Sequence, residues 1–253
     1  MTRTNVPVES ITTLLSIVEH LEQVGEAGVS EISDSVGVSK STVHNHLATL
    51  RENGYVINQE GRYRLGLRFL RIGELTRTRT GLFEIARPQV EDLVEGTNLV
   101  GNLAVEEHGE GVYLYRSRGS DDIQFSTQAG ERHDLHCTAT GKSILAHVSS
   151  ARLESLLESL SITRYTDHTI TSEQELLNEL EQVRNRGVAF DEEEYGPGLR
   201  CIGAPIFGPE DEVIGAISIS GPAADMRGDW YRKTLPDQLQ SAKNRIELNL
   251  RDY

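Results

Sequence analysis

The chain has 253 residues, 37% of them hydrophobic, and sets 25 lysines and arginines against 39 aspartates and glutamates for a formal charge of −14. That length holds one small and one medium domain. It shows no run of about 18 apolar residues and no secretory leader, which excludes a membrane span and places the expected setting in the cytoplasm; two cysteines, Cys137 and Cys201, read as free thiols rather than a disulfide framework.

In chain order, Ile11, Leu14, Leu15, Val18 and Leu21 form an apolar stripe that predicts a helix ending near Gly25. Ser30 is placed to cap the next helix, with Glu31 at its positive end, and Gly37 breaks that helix. Ser39 then caps a further helix in which Val43, Leu47 and Leu50 share one buried face. Its opposite face carries Ser41, His44, Asn45 and Ala48. Small hydrogen-bonding groups there suit a major groove, and Lys40 near the N-terminus suits a phosphate, so Lys40, Ser41, Thr42, His44 and Asn45 are the candidate DNA contacts. Past Gly54, Tyr63 and Leu65 alternate with Arg62 and Arg64 around a turn at Gln59, Glu60 and Gly61. This predicts a hairpin wing with both arginines pointing outward, as further DNA contacts.

Residues 1–66 thus read as a winged helix-turn-helix domain, although helix, turn, helix and hairpin also build small cores that bind nothing. Charge favours the DNA reading. Residues 1–80 are neutral, with 9 basic and 9 acidic side chains, whereas residues 81–253 hold 16 and 30. Residues 39–71, the recognition helix and wing, hold 6 basic and 2 acidic residues, and only this part of the chain can meet a phosphate backbone without repulsion.

Leu67, Phe69, Leu70, Ile72 and Leu75 predict a linker helix over 67–80, more apolar than a solvated spacer needs and therefore expected to pack against a second subunit. Residues 81–253 alternate helices and strands. A helix containing Pro88 runs to Glu95; a hairpin spans Leu99–Val105 and Val112–Tyr115; a strand covers Ile123–Thr127. Helices then start near Thr140, at Ala151 and at the capping box opened by Ser172, the last closed by Gly187. Strands at Arg200–Phe207 and Val213–Ser220 and a final helix at Leu235–Leu250 complete an α+β sensor-like domain.

Three segments of this domain carry candidate chemistry. His136–Ser143 ends in Gly-Lys-Ser, but His136 stands where a phosphate-binding loop needs its first glycine. The segment instead suggests a helix start whose amides around Ala139 and Thr140 face an anion, against the simpler reading of a capped helix. Zinc held by His133, His136 and Cys137, with Cys201 as an optional fourth ligand, is chemically conceivable but matches no common spacing, so no metal and no cofactor is expected. Asp191 ends an apolar strand ahead of Glu192, Glu193 and Glu194, a charge run otherwise expected to be solvated; it is placed to accept hydrogen bonds from ligand hydroxyls. Ser218 and Ser220 share one face of an apolar strand, and their hydroxyls need partners from ligand, backbone or water.

The segments SKSTVHNHLATLRENGYV, GRYRLGLRFLRIG, ARPQVEDLVEGTN, NLAV, HCTATGKSILA, RCIGAPIF and SISGP, in this order, resemble the IclR-type transcriptional regulators over almost the whole chain. The resemblance implies a winged helix-turn-helix, a linker helix and a GAF-like effector domain for small organic acids. It also implies homodimers or homotetramers on palindromic operators in double-stranded DNA. It assigns the effector site to the backbone of Ala139 and Thr140 and the side chains of Asp191, Cys201, Ser218 and Ser220. The family's usual recognition-helix arginine is Asn45 here and a usual leucine is His46, which points to a different base preference. With only 4 lysines among the 25 basic residues, the acidic composition further suggests a salt-rich cytoplasm, as in a halophilic archaeon.

The expected function is a DNA-binding transcriptional regulator governed by a carboxylic or sugar-acid effector and serving a catabolic gene cluster. Two alternatives stand beside it: a metal- or thiol-redox-sensing regulator, and an enzyme with Cys137 or Cys201 as nucleophile and His133 or His136 as base.

Overall fold

The computed structural model describes residues 8–79, 81–120 and 128–251. The chain divides into two compact units, Met1–Arg79 and Thr80–Tyr253.

The first unit contains α1 (Glu9–Val24), β1 (Glu26–Gly28), α2 (Val29–Val36), α3 (Lys40–Glu52), β2 (Val56–Gln59), β3 (Arg62–Leu65) and α4 (Arg68–Thr78). Its core joins Ile17, Leu21, Ala27, Ile32, Val43, Leu47, Leu50, Val56 and Tyr63. The face of α1 agrees with the sequence expectation in part: Leu21 is buried and Leu14 and Val18 pack half-buried against the core, but Ile17 joins them in place of Ile11 and Leu15, which are 54% and 51% exposed. Apolar residues occur on more than one side of this helix, so periodicity alone does not say which side meets the core.

The start of α2 also differs. Ser30 lies exposed inside the helix, and the Glu31 carboxylate instead accepts the Gly28 amide at 2.7 Å. The cause is β1, a three-residue strand too short to show a period, which pairs with β3 and delivers the chain to the helix at Val29. The hairpin closes as read: Glu60 and Gly61 adopt φ of 53° and 84°, the left-handed pair that a tight hairpin turn requires. The three strands run in the order β1-β3-β2.

The second unit begins with α5 (Leu82–Val94), β4 (Val100–Glu107), β5 (Glu110–Arg118) and β6 (Arg132–His133). It continues with α6 (Ala139–Leu145), α7 (Ser150–Ser159), α8 (Glu173–Arg186), β7 (Ala189–Glu192), β8 (Leu199–Phe207) and β9 (Val213–Pro222). A π-helical turn at Trp230–Thr234 leads into α9 (Leu235–Arg251). The strands form one antiparallel sheet in the order β6-β5-β4-β9-β8-β7. The strand expected at Ile123–Thr127 lies outside the described residues.

Strand alternation divides this unit into two chemistries. One face sends Leu103, Phe190, Ile202, Ile217 and Ile219 against α5 and α9. The other face meets α6, behind which Leu145, Leu156, Leu176, Leu180 and Val183 form a second core. Two glycines permit the close packing of α6: a Cβ on Gly203 of the sheet would stand 2.5 Å from the Ala139 carbonyl oxygen, and one on Gly141 would stand 2.3 Å from that of Leu135 in the loop before the helix. The Gly-Lys-Ser sequence is therefore a packing feature.

Candidate functional site

In the first unit, Ser39 caps α3 by accepting the Thr42 amide at 3.1 Å. Burial of Val43, Leu47 and Leu50 turns the opposite face outward. Lys40, Ser41, His44 and Asn45 are exposed there, and none of their side chains bonds another described residue. Thr42 is half-buried, its hydroxyl 2.8 Å from that of Ser39, which makes it part of the cap.

The two wing arginines are not equivalent. Arg62 donates to the Glu26 carboxylate at 2.8 Å and to the Glu26 carbonyl at 3.0 Å, and approaches Glu31 at 3.4 Å. These partners raise its pKa and hold it against β1 and α2. Arg64 is exposed with no ion pair among the described residues, and it carries the wing's available charge.

In the second unit, Ala139, Thr140, Asp191, Cys201, Ser218 and Ser220 come from α6, β7, β8 and β9 to line one cavity of about 280 Å³. Register does the assembly: Asp191 pairs with Cys201, and Cys201 with Ser220. Tyr113, Arg116, Thr138, Tyr195 and Leu199 complete the wall.

The serine hydroxyls find a partner that sequence reading missed. The buried Asn102 amide donates to Ser218 at 2.9 Å and Ser220 at 3.0 Å, while its carbonyl oxygen accepts from Arg116 Nε at 2.7 Å. The signal available was an asparagine inside an apolar strand. Arg116 lies over the Tyr113 ring, 4.5 Å from its centroid, and makes no ion pair among the described residues.

Asp191 is 1% exposed. Its Oδ1 accepts the Glu194 amide at 2.8 Å and the Tyr195 amide at 3.4 Å, whereas Oδ2 is buried without a hydrogen-bond partner. Burial pushes its pKa up to about 6, against the pull of the Glu194 amide and Lys142. Glu194 is buried too, contrary to the solvated reading of the acidic run. A left-handed residue, Glu193 with φ of 66°, ends the strand alternation and turns Glu194 inward onto Lys142. Burial there outweighs the cation and pushes Glu194 up to about 7.

The enzymatic arrangement is not formed. Burial, aided by neighbouring carboxylates, raises the pKa of both thiols, leaving neither as a ready thiolate. His133 stacks on Tyr113 with centroids 4.2 Å apart and meets the Thr140 hydroxyl at 3.0 Å; burial lowers its pKa to about 3, so it is neutral. Of the zinc set, His136 and Cys137 lie together, whereas His133 is tied to Thr140 and Cys201 sits on β8 beside Asp191.

A winged helix-turn-helix joined to an α+β unit whose cavity is lined by several buried polar side chains defines a ligand-responsive class of DNA-binding regulator. The profile described as "Bacterial transcriptional regulator IclR C-terminal" matches residues 75–248, and that of the "IclR helix-turn-helix domain" matches residues 10–59. The chain belongs to the IclR family of transcriptional regulators. It is 31% identical over 247 residues to the probable HTH-type transcriptional regulator ArcR of Halobacterium salinarum, covering 95% of this chain and 94% of that protein. It is 34% identical to the HTH-type transcriptional regulator KdgR of Escherichia coli, over 85% of this chain and 82% of the relative. The crystal structure of the Thermotoga maritima IclR superposes with a TM-score of 0.80 at 30% identity, covering 96% of this chain and 97% of the other. Its relatives are regulators rather than enzymes, and no helix among the described residues is long and apolar enough to cross a membrane.

Proposed function

We propose that this cytoplasmic regulator binds a palindromic operator beside a catabolic gene cluster and responds to a small hydroxylated carboxylic acid, such as a sugar acid. One observation carries the effector class: a single cavity wall offers the Arg116 guanidinium, free of ion pairs among the described residues, and the partnerless Oδ2 of Asp191. The first suits a carboxylate and the second a hydroxyl donor. Ala139, Thr140, Cys201, Ser218 and Ser220 shape the remaining wall. At about 280 Å³ the cavity lies below the usual range of roughly 300–1,000 Å³ for ligand pockets, which favours a small molecule.

On DNA, Lys40, Ser41, His44 and Asn45 are proposed to meet the major groove and Arg64 the backbone, with Thr42 holding the helix start. The chain acts as a homodimer, or a homotetramer built from two dimers. Leu67, Leu70 and Leu75 are 79%, 61% and 62% exposed, as are Ile11 and Leu15 by about half, an apolar area that a second copy can cover. Two recognition helices then occupy half-sites roughly 34 Å apart. A salt-rich cytoplasm fits both the −14 charge and the relative from Halobacterium salinarum; full native dichroism in low KCl would contradict it.

Crosslinking and sequencing of bound DNA in cells grown on several carbon sources tests this function. A few palindromic sites beside one catabolic cluster support it, and the enzymes encoded there name the acid to titrate. Absence of discrete sites under every condition overturns it.

A further inference from the structure

One cluster beside the cavity plays no part in the interactions above. Asp134, His136 and Cys137 each present a ligand-type atom, and the three atoms lie within 4.8 Å of one another. His136 and Cys137 are fully buried. The His136 Nε2 meets the Thr163 carbonyl oxygen at 2.9 Å. A carbonyl only accepts, so Nε2 carries the proton and Nδ1 keeps a lone pair. That Nδ1 is buried and has no hydrogen-bond partner, a condition buried polar atoms rarely tolerate without a reason.

The surroundings orient these groups. The Tyr165 hydroxyl donates to the Asp134 carboxylate at 2.6 Å, and its ring stacks on that of His136 with centroids 6.4 Å apart. Residues 163–165 therefore hold both the imidazole and the carboxylate, the outer-shell arrangement that fixes metal-ligating side chains.

The geometry points to a divalent transition-metal site formed by Asp134, His136 and Cys137, with zinc the ion that best fits an imidazole, a thiolate and a carboxylate. Three protein ligands leave one coordination position open. On binding, the Cys137 thiol releases its proton to solvent as the metal–sulfur bond forms, and thiolate and carboxylate together neutralise the dication. The ion clamps residues 134–137, which Thr163 and Tyr165 already brace through His136 and Asp134, immediately before Thr138 and Ala139 of the cavity wall, so occupancy of this site stiffens one side of the effector cavity.

Two measurements test the assignment. Native mass spectrometry of the chelator-treated chain after zinc addition should show one ion per chain. Cobalt titration of a Cys201→Ser chain, which keeps Cys137 as its one thiol, should give a thiolate-to-cobalt charge-transfer band and release one proton per ion. His136→Gln should abolish the band, and Tyr165→Phe should weaken binding by about 10- to 100-fold. No band in a Cys201→Ser chain with native dichroism, or a band that His136→Gln leaves unchanged, overturns the proposal.

Discussion

The two units place their polar residues on opposite sides of their cores. In the first, the functional groups face outward from one short helix and one hairpin, and the core beneath them is apolar apart from Tyr63 and the buried Ser33, whose hydroxyl donates to the Val38 carbonyl. In the second, the outside is strongly acidic and the informative groups face inward: Asn102, Asp191, Ser218 and Ser220 are all buried. An outward face can be changed without unfolding the unit that carries it. An inward cluster cannot, because each buried polar atom that loses a partner costs free energy. Binding specificity and stability should therefore separate in the first unit and move together in the second.

The largest effect is expected where charge is most deeply buried. Lys142, 1% exposed, pairs with Glu194 and lies 3.6 Å from Glu179. Lys142→Met should destabilise the second unit by about 3–5 kcal/mol at pH 8, read from urea unfolding, because it strands a buried carboxylate. The loss should shrink at lower pH, where Glu194, already pushed up to about 7, takes a proton.

The same burial fixes a sign for the intact chain. A carboxyl whose folded pKa is raised binds its proton more tightly when folded, so its stability cost is absent below the unfolded value and complete above the folded one. With Asp191 and Glu194 raised from 3.8 to about 6 and from 4.5 to about 7, stability should fall as pH rises through that window. Asp191→Asn should flatten part of the slope; an unchanged pH profile would contradict the buried assignment.

Next in size, Asn102→Leu removes the donor shared by Ser218 and Ser220 and the acceptor of Arg116. About 1–3 kcal/mol of stability should go with it, together with the response to effector, while operator affinity without effector is kept. In the outward unit, Asn45→Ala should leave the urea midpoint unchanged yet lose about 1–3 kcal/mol of discrimination at one base position, measured by competition among operator variants. The smallest expected effect distinguishes the wing arginines. Arg64→Ala should reduce the salt slope of DNA binding by about one, whereas Arg62→Ala, whose side chain is committed to Glu26 and Glu31, should leave that slope unchanged.

This contrast also explains what the amino-acid sequence could disclose. Ser39, Val43, Leu47, Leu50 and the Glu60–Gly61 turn act through neighbours a few residues away, so helix spacing and turn chemistry expose them. The role of Asn102 depends on Ser218 and Ser220, more than a hundred residues distant, and no local pattern records that pairing. Ser218, Ser220 and Asp191 showed as polar breaks in apolar strands, and the family resemblance pointed to the same residues. Glu194 escaped because a single left-handed residue, Glu193, reverses the alternation a strand would impose. Arg62 reads as a DNA contact by alternation, and only the unforeseen β1 brings Glu26 within reach.

The central claim is that the inward cluster senses a small acid and the outward face reads DNA, with the two coupled. Operator affinity, measured by fluorescence anisotropy on a fragment recovered from cells, tests this most directly when titrated with and without saturating effector on the native chain and on Asn102→Leu. The account predicts a shift on the order of 10- to 100-fold for the native chain and none for the variant. Equal operator affinity in the native chain with and without the acid, while calorimetry shows that the acid is bound, would contradict it.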